Sequence, residues 1–328
     1  MHIVIAIFLM ALSVTALSIP WVRRLAIRTG FVDAPASRKM HSTPMPLMGG
    51  VAIFGGAVLA VITFFPDFPN TVAGTLLSLA VVTLVGLLDD RFGLPAWVKL
   101  GGQFVGFLIL AFFDIRVKLP LPEVVNYAIT FVWLAGISNA INFLDNMDGL
   151  SAGVSGVAAA FITLLGLQND QFLVSGLAAA VLGACLGFLR FNFKPAQIFM
   201  GDAGALFLGF LLALLGLQLR FPANSNFVTW MVPIFILGLP IFDTTLVVVS
   251  RIRRGVSPNT PGKDHLSHRL VQRGFSQREA VLMLYLLTGA GGMIAVFITQ
   301  ATVLEGYLIF ATLLLLGGVA IWQLDQPV

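Results

Sequence analysis

The stretch TVAGTLLSLAVVTLVGLLDDR, residues 71–91, runs eighteen residues without a charge and closes on Asp89, Asp90 and Arg91. A bilayer core is spanned by about 20 apolar residues in a helix, so this stretch reads as a membrane span with an acidic end. Ten more apolar runs lie around it, at about 2–22, 47–65, 97–113, 124–141, 150–167, 171–189, 203–219, 227–249, 280–299 and 306–323. Over the 328 residues 58% are apolar and 10% charged, and the mean hydropathy is +0.96. Soluble domains carry about 25% charged residues. The expectation is an all-α, polytopic integral membrane protein of about eleven helices, with one domain over 1–328. A soluble enzyme, a disordered chain and a nucleic-acid-binding module are excluded. The one cysteine, Cys185, lies inside an apolar run, so neither a disulfide framework nor a cysteine zinc site is available.

Charge placement orients the spans. The first run has no basic leader, and Arg23, Arg24 and Arg28 follow it, so it reads as a span rather than a cleavable signal. With the N-terminus outside and the C-terminus cytoplasmic, sixteen of the nineteen basic residues fall on the inner face. Only Arg116, Lys118 and Arg220 stay outside. That is the positive-inside pattern, and it predicts a multi-pass protein of the inner (plasma) membrane. Pro233, Gly238 and Pro240 should bend the ninth span.

The acids converge on the same inner face. Asp89–Asp90, Asp145 and Asp148, Asp202 and Asp264 all sit at span ends, and Asp243 lies about two turns inside the ninth span. Carboxylates at a membrane need partners or water, and one shared cytoplasmic site accounts for all of them. Adjacent acids are poor stop signals, and like charges this close raise one pKa, which suits proton transfer or a metal-proximal pair at Asp89–Asp90. Asn142, Asp145 and Asp148 are spaced by three, which on a helix puts them on one face, suited to Mg²⁺ or a sugar-phosphate. Asp202 precedes the eighth span between Gly201 and Gly204. It could be an N-cap, or the helix N-terminus could receive a phosphate. The loop at about 250–279 carries nine basic or histidine residues, His265, His268 and Arg269 among them. It suits either lipid headgroups or a diphosphate. Lys39 and His41 in the first inner loop invite the same two readings.

Six segments in order carry a resemblance. They are Arg38–Pro46 with Gly49–Gly50, Leu88–Arg91 followed by Lys99 and Gln103, Asn142–Gly149, Phe191–Asn192 through Gly201–Gly204, Pro240–Thr244, and Asp264–Arg269. Together they resemble the polyprenyl-phosphate N-acetylhexosamine-1-phosphate transferases. These are glycosyltransferases of family 4, including the undecaprenyl-phosphate alpha-N-acetylglucosaminyl 1-phosphate transferase type, and are related to the phospho-N-acetylmuramoyl-pentapeptide transferases. The family starts O-antigen, enterobacterial common antigen and wall teichoic acid synthesis. The resemblance implies transfer of N-acetylhexosamine-1-phosphate, most often N-acetylglucosamine-1-phosphate, from a UDP-sugar to polyprenyl (undecaprenyl) phosphate, with release of UMP. It implies Mg²⁺, with Mn²⁺ a candidate substitute, a membrane-lipid environment, and a homodimer as a candidate assembly. By resemblance, Asp202 binds the metal with Asp145, and Phe199 stacks on uracil. Asn142, Asn192, Asp145 and Asp148 contact nucleotide or complete the metal site. Asp89 and Asp90 handle the lipid phosphate, one as a candidate base; Lys39 and Lys99 neutralise phosphates; His265, His268 and Arg269 hold diphosphate or sugar. Many members of the sugar-nucleotide branch have histidine where this chain has Ser267. A secondary transporter or lipid-sugar flippase would instead place its charges near the midplane, and a non-enzymatic nucleotide-sugar binder would show no turnover. Direct displacement is preferred to a route through a phospho-aspartyl enzyme.

Overall fold

The computed structural model describes residues 1–33, 44–65, 70–258, 260 and 262–325. Lys39 and His41 lie outside the described residues. In chain order the elements are α1 (His2–Thr29), β1 (Val32–Asp33), β2 (Met45–Pro46), α2 (Gly49–Phe64), α3 (Asn70–Phe92), α4 (Ala96–Phe112), α5 (Glu123–Leu144) and α6 (Leu150–Gln168). They continue as α7 (Phe172–Asn192), α8 (Gly201–Gln218), α9 (Asn226–Thr229), α10 (Val232–Ile236), α11 (Gly238–Arg253), α12 (Leu266–Gln272), α13 (Gln277–Ile298) and α14 (Val303–Leu324). β1 and β2 form one short antiparallel ladder, Val32 opposite Pro46. All else of regular structure among the described residues is helical.

Eight of these helices are long and apolar enough to cross a membrane. The pair Asn226–Ile236 and Gly238–Arg253, bent by 71°, adds a ninth crossing if it is one span. The expected bend is therefore present, and it falls at Gly238, with Pro240 in the first turn of α11, where its missing N–H removes no helical bond. α2 and α4 are apolar but only 16 and 17 residues long.

α8 is the axis of the bundle. Every residue from Ala203 to Gly216 is buried, against α3, α5 and α2. Small residues set those approaches. A Cβ on Gly209 would lie 2.6 Å from Ser138 Cα, one on Gly86 2.6 Å from Ala203 Cα, and one on Gly50 2.1 Å from the Gly204 nitrogen. Such close crossings need glycine. Side-chain hydrogen bonds reinforce them: Ser138 Oγ donates to Leu206 O at 3.1 Å and Trp133 Nε1 to Ala213 O at 3.0 Å. α14 is the opposite case, with only Gly306 buried. Its bare leucines are what a lipid-facing helix presents.

Candidate active site

Three helix ends meet at Asp202. α3 brings Asp89 and Asp90 in its last turn, α4 brings Lys99 in its first, and α8 starts beside them. Lys99 Nζ lies 2.9 Å from Asp89 Oδ2 and 2.8 Å from Asp202 Oδ2. The Asn142 side chain also hydrogen-bonds to Asp202, and the Asp89 carboxyl lies within hydrogen-bond reach of it. Asp89 Oδ1 accepts from Leu94 N at 2.5 Å, which closes the turn between α3 and α4.

Asp90 does something different from its neighbour. Its two oxygens accept from Asp202 N at 2.7 Å and Ala203 N at 3.1 Å. It therefore caps α8 and satisfies donors that have no partner inside the helix. The expectation of a phosphate on this helix N-terminus needs correction on this account, because a carboxylate of the chain occupies these two donors. Gly201, at φ +72°, makes the contact feasible: a Cβ there would lie 2.4 Å from Asp90 Oδ2. A capping role predicts that Asp90→Asn, which keeps an acceptor, lowers kcat by about tenfold, and Asp90→Ala by about a hundredfold. A general base would make the two equally inactive, which steady-state kinetics of the pair would reveal.

The second part of the site is the turn after α5. That helix ends at Leu144, so Asn142, Asp145 and Asp148 do not share a helix face as expected; only Asn142 is helical. Asn146 and Gly149 are turn formers, and Gly149, at φ +79°, starts α6. The turn is clamped at both sides of Gly149. Asn192 Oδ1 accepts from Gly149 N at 2.9 Å, and Tyr285 Oη donates to Gly149 O at 2.5 Å. Asn192 also donates from Nδ2 to Ile198 O at 2.9 Å, and Asp148 Oδ2 accepts from Ala196 N at 3.1 Å. The buried Asn192 amide is thus engaged with backbone on both sides, and it joins the turn to the segment that leads into Asp202. Phe199, in that segment, is half-buried; its backbone bonds to Pro46 O at 2.8 Å and Gly49 N at 3.0 Å. Sequence reasoning missed Tyr285, which in an apolar span looks like packing.

Asp145 stays close to the acids. Burial, then the charges of Asp202, Asp90 and Asp148, push its carboxyl up to about 8. Among the described residues no three His, Cys, Asp or Glu side chains form a ready metal cage. Mg²⁺, however, is commonly held by one or two carboxylates, with water and substrate phosphates completing its shell. Asp145 and Asp202, in an acidic cluster short of positive charge, fit that donor set.

The histidines form the third part. Asp243, fully buried, bonds His265 Nδ1 through Oδ2 at 2.8 Å and accepts from Leu266 N through Oδ1 at 2.7 Å. It fixes both the ring and the start of α12. Burial, then the charges of His265 and Lys263, push His268 down to about 4. Its ordinary value is 6.5, so the folded chain resists protonating it. The stability this contributes is complete above pH 6.5 and is lost as pH falls towards 4. A melting curve taken at pH 7 and again at pH 4.5 should therefore shift down, and His268→Gln should blunt the shift.

Arg269 departs from its expected part. Its Nε donates to Asp264 O at 2.8 Å, Nη2 to Ser250 Oγ at 2.9 Å, and Nη1 to Leu324 O. A guanidinium so engaged braces α11, α12 and α14 and does not reach for a diphosphate. Asp264 is braced likewise. Burial would raise its carboxyl, but Arg251 and Arg254 outweigh that and hold it below the usual carboxylate range.

The helices and this polar end define a multi-pass membrane protein with one site built from the ends of several spans. The model of glycosyl transferase family 4 matches residues 72–220, a stretch from α3 to the end of α8 that holds the acidic part of the site. A "Probable undecaprenyl-phosphate N-acetylglucosaminyl 1-phosphate transferase" of Bacillus subtilis (strain 168) is 35% identical over 327 residues, covering 97% of this chain and 91% of that protein. A decaprenyl-phosphate N-acetylglucosaminephosphotransferase of Mycobacterium tuberculosis (strain ATCC 25618 / H37Rv) is 33% identical over 305 residues, covering 82% and 76%. An undecaprenyl-phosphate alpha-N-acetylglucosaminyl 1-phosphate transferase of Escherichia coli (strain K12) is 27% identical over 288 residues, covering 83% and 77%. The chain belongs to glycosyl transferase family 4, as its ordered motifs suggest.

Proposed function

We propose that this chain transfers N-acetylglucosamine-1-phosphate from UDP-N-acetylglucosamine to polyprenyl (undecaprenyl) phosphate, as the first membrane step of a cell-envelope glycan. An oxygen of the lipid phosphate bonds to the β-phosphorus of the nucleotide, the bond to the bridging oxygen breaks, and UMP leaves with the electron pair. The observation that carries this reading is the meeting of Asp89, Lys99, Asn142, Asp145 and Asp202 at one end of the bundle. The names of the relatives supply the substrates.

The physical obstacle is anion meeting anion, about 4 kcal/mol for two unit charges 4 Å apart at an effective dielectric near 20. Asp202 and Asp145 would hold Mg²⁺, which when bound supplies charge to offset that repulsion and to stabilise the transferred phosphoryl. Lys99 adds a cation of the chain's own. A strong base is not required, because a phosphate monoester is already mostly doubly ionised above about pH 6. Direct displacement is favoured over a phospho-aspartyl route, since both Asp90 oxygens are engaged with α8. The sixteen-to-three basic bias supports a cytoplasmic position for this end, on the inner membrane.

The test is UMP release by purified protein in detergent, given undecaprenyl phosphate, Mg²⁺ or Mn²⁺, and a panel of UDP-N-acetylhexosamines. Lipid-dependent UMP that EDTA abolishes, from one sugar, is the expected result. Folded protein that releases none, but moves a solute across vesicles, would return the reading to a transporter.

A further inference from the structure

Ser267 lies between His265 and His268, and the structure gives it a partner in another part of the site. It is 1% exposed, and its Oγ donates to Asn146 Oδ1 at 2.6 Å. Asn146 in turn donates from Nδ2 to Phe143 O at 2.9 Å. The Phe143 ring meets His265 edge-on, with centroids 6.3 Å apart. The start of α12 therefore rests on the α5 end and the turn after it at two points. The hydrogen bond is the directional one, because an O–H···O contact loses its strength when stretched or bent. Its two ends are next to functional groups: Asn146 follows Asp145, and Ser267 precedes His268. Ser267 Oγ also lies 3.4 Å from His268 Nδ1, so the hydroxyl is within reach of the histidine as well as the turn.

We propose that Ser267 is a positioning residue for the transfer reaction. Through Asn146 its hydroxyl sets the spacing between the Asp145 carboxyl and the His265–His268 pair, and with it the fit of the sugar diphosphate. The inference rests on the transferase reading above. A small misplacement of groups that bracket a reacting phosphate is costly in rate, whereas the loss of one buried hydrogen bond should move the melting temperature of a chain this long by only a few degrees.

The experiment is UMP release with varied UDP-sugar, and in parallel thermal unfolding, for the unsubstituted chain, Ser267→Ala, Ser267→Thr, Asn146→Ala and the Ser267→Ala/Asn146→Ala pair. Ser267→Ala should lower kcat/KM for the UDP-sugar by about tenfold, with the melting temperature down by no more than a few degrees. Asn146→Ala should do at least as much, the double variant should be no worse than Asn146→Ala, and Ser267→Thr should recover most of the loss because it keeps the hydroxyl. Unchanged kinetics in Ser267→Ala overturn the inference and leave the transferase reading intact. So do losses that simply add in the double variant, or a fall in melting temperature with kcat/KM of the folded protein preserved. An unsubstituted chain that releases no UMP overturns the transferase reading, and this inference with it.

Discussion

Asp202→Ala should lower kcat for UMP release by about a thousandfold at saturating substrates and Mg²⁺, the largest loss of any single carboxylate in the site. The reason lies in what converges there. Lys99 Nζ is 2.8 Å from Asp202, and Asn142 and Asp89 also reach its carboxyl. Removing it takes away a metal-holding group and leaves Lys99 to Asp89 alone, so two charges near the reacting phosphates change together. Groups aimed at charge that develops in the transition state contribute about a hundred- to a thousandfold each. Stability should change little, because Asp90 and not Asp202 caps the α8 amides. The fall in kcat should therefore come with an unaltered melting curve and a higher Mg²⁺ concentration for half-maximal residual rate. Turnover within tenfold of the unsubstituted protein would remove Asp202 from the metal site.

The ordering of Asp202 above Asp90 shows where a linear sequence stops being informative. The helices were legible, since each apolar run corresponds to a helix or to the bent pair α9–α11, but the expected eleven crossings were not. Among the described residues eight helices, or nine crossings with the bent pair, are long and apolar enough to span a membrane, and α2 and α4 fall short. The bend itself was legible from Gly238 and its prolines. That Asp89, Asp90, Asp145 and Asp202 belong together was legible from their places at span ends. Which of their oxygens are engaged was not. Asp90 accepts from amides 112 and 113 residues away, and nothing local in Leu88–Arg91 announces that. Asn192 and Arg269 carry donors that suit a ligand, yet their partners are backbone atoms and, for Arg269, also the Ser250 hydroxyl, supplied by the packing of other elements. The α5 case is different. Asn146 and Gly149 are turn formers, and their turn ends α5 at Leu144 before a spacing of three can put Asp145 and Asp148 on its face.

Lys99→Met should separate two quantities that fall together in most active-site variants. It should lower kcat/KM by about a hundredfold, while the protein's affinity for Mg²⁺ in the absence of substrate rises. In the structure Lys99 neutralises both Asp89 and Asp202, at 2.9 and 2.8 Å. Its side chain is one-fifth exposed, and the two carboxyls are about a tenth and a quarter exposed, so screening by water is incomplete. Methionine keeps most of the length and the flexibility of the side chain and removes the charge together with its hydrogen-bond donors. The two carboxylates then face each other with no cation between them, an arrangement that attracts a divalent ion more strongly. With substrate present the balance reverses. The phosphates bring negative charge to the same place, and the missing ammonium leaves their mutual repulsion less relieved. Lys99→Arg restores the charge but presents a planar fork in place of a point charge, so it should recover only part of the rate. Mg²⁺-dependent thermal shifts of the substrate-free protein and steady-state UMP release, run on the same three preparations, check both halves. A Lys99→Met protein that loses rate and Mg²⁺ affinity together would mean that the lysine orders the acidic cluster and does not compete with a cation for it.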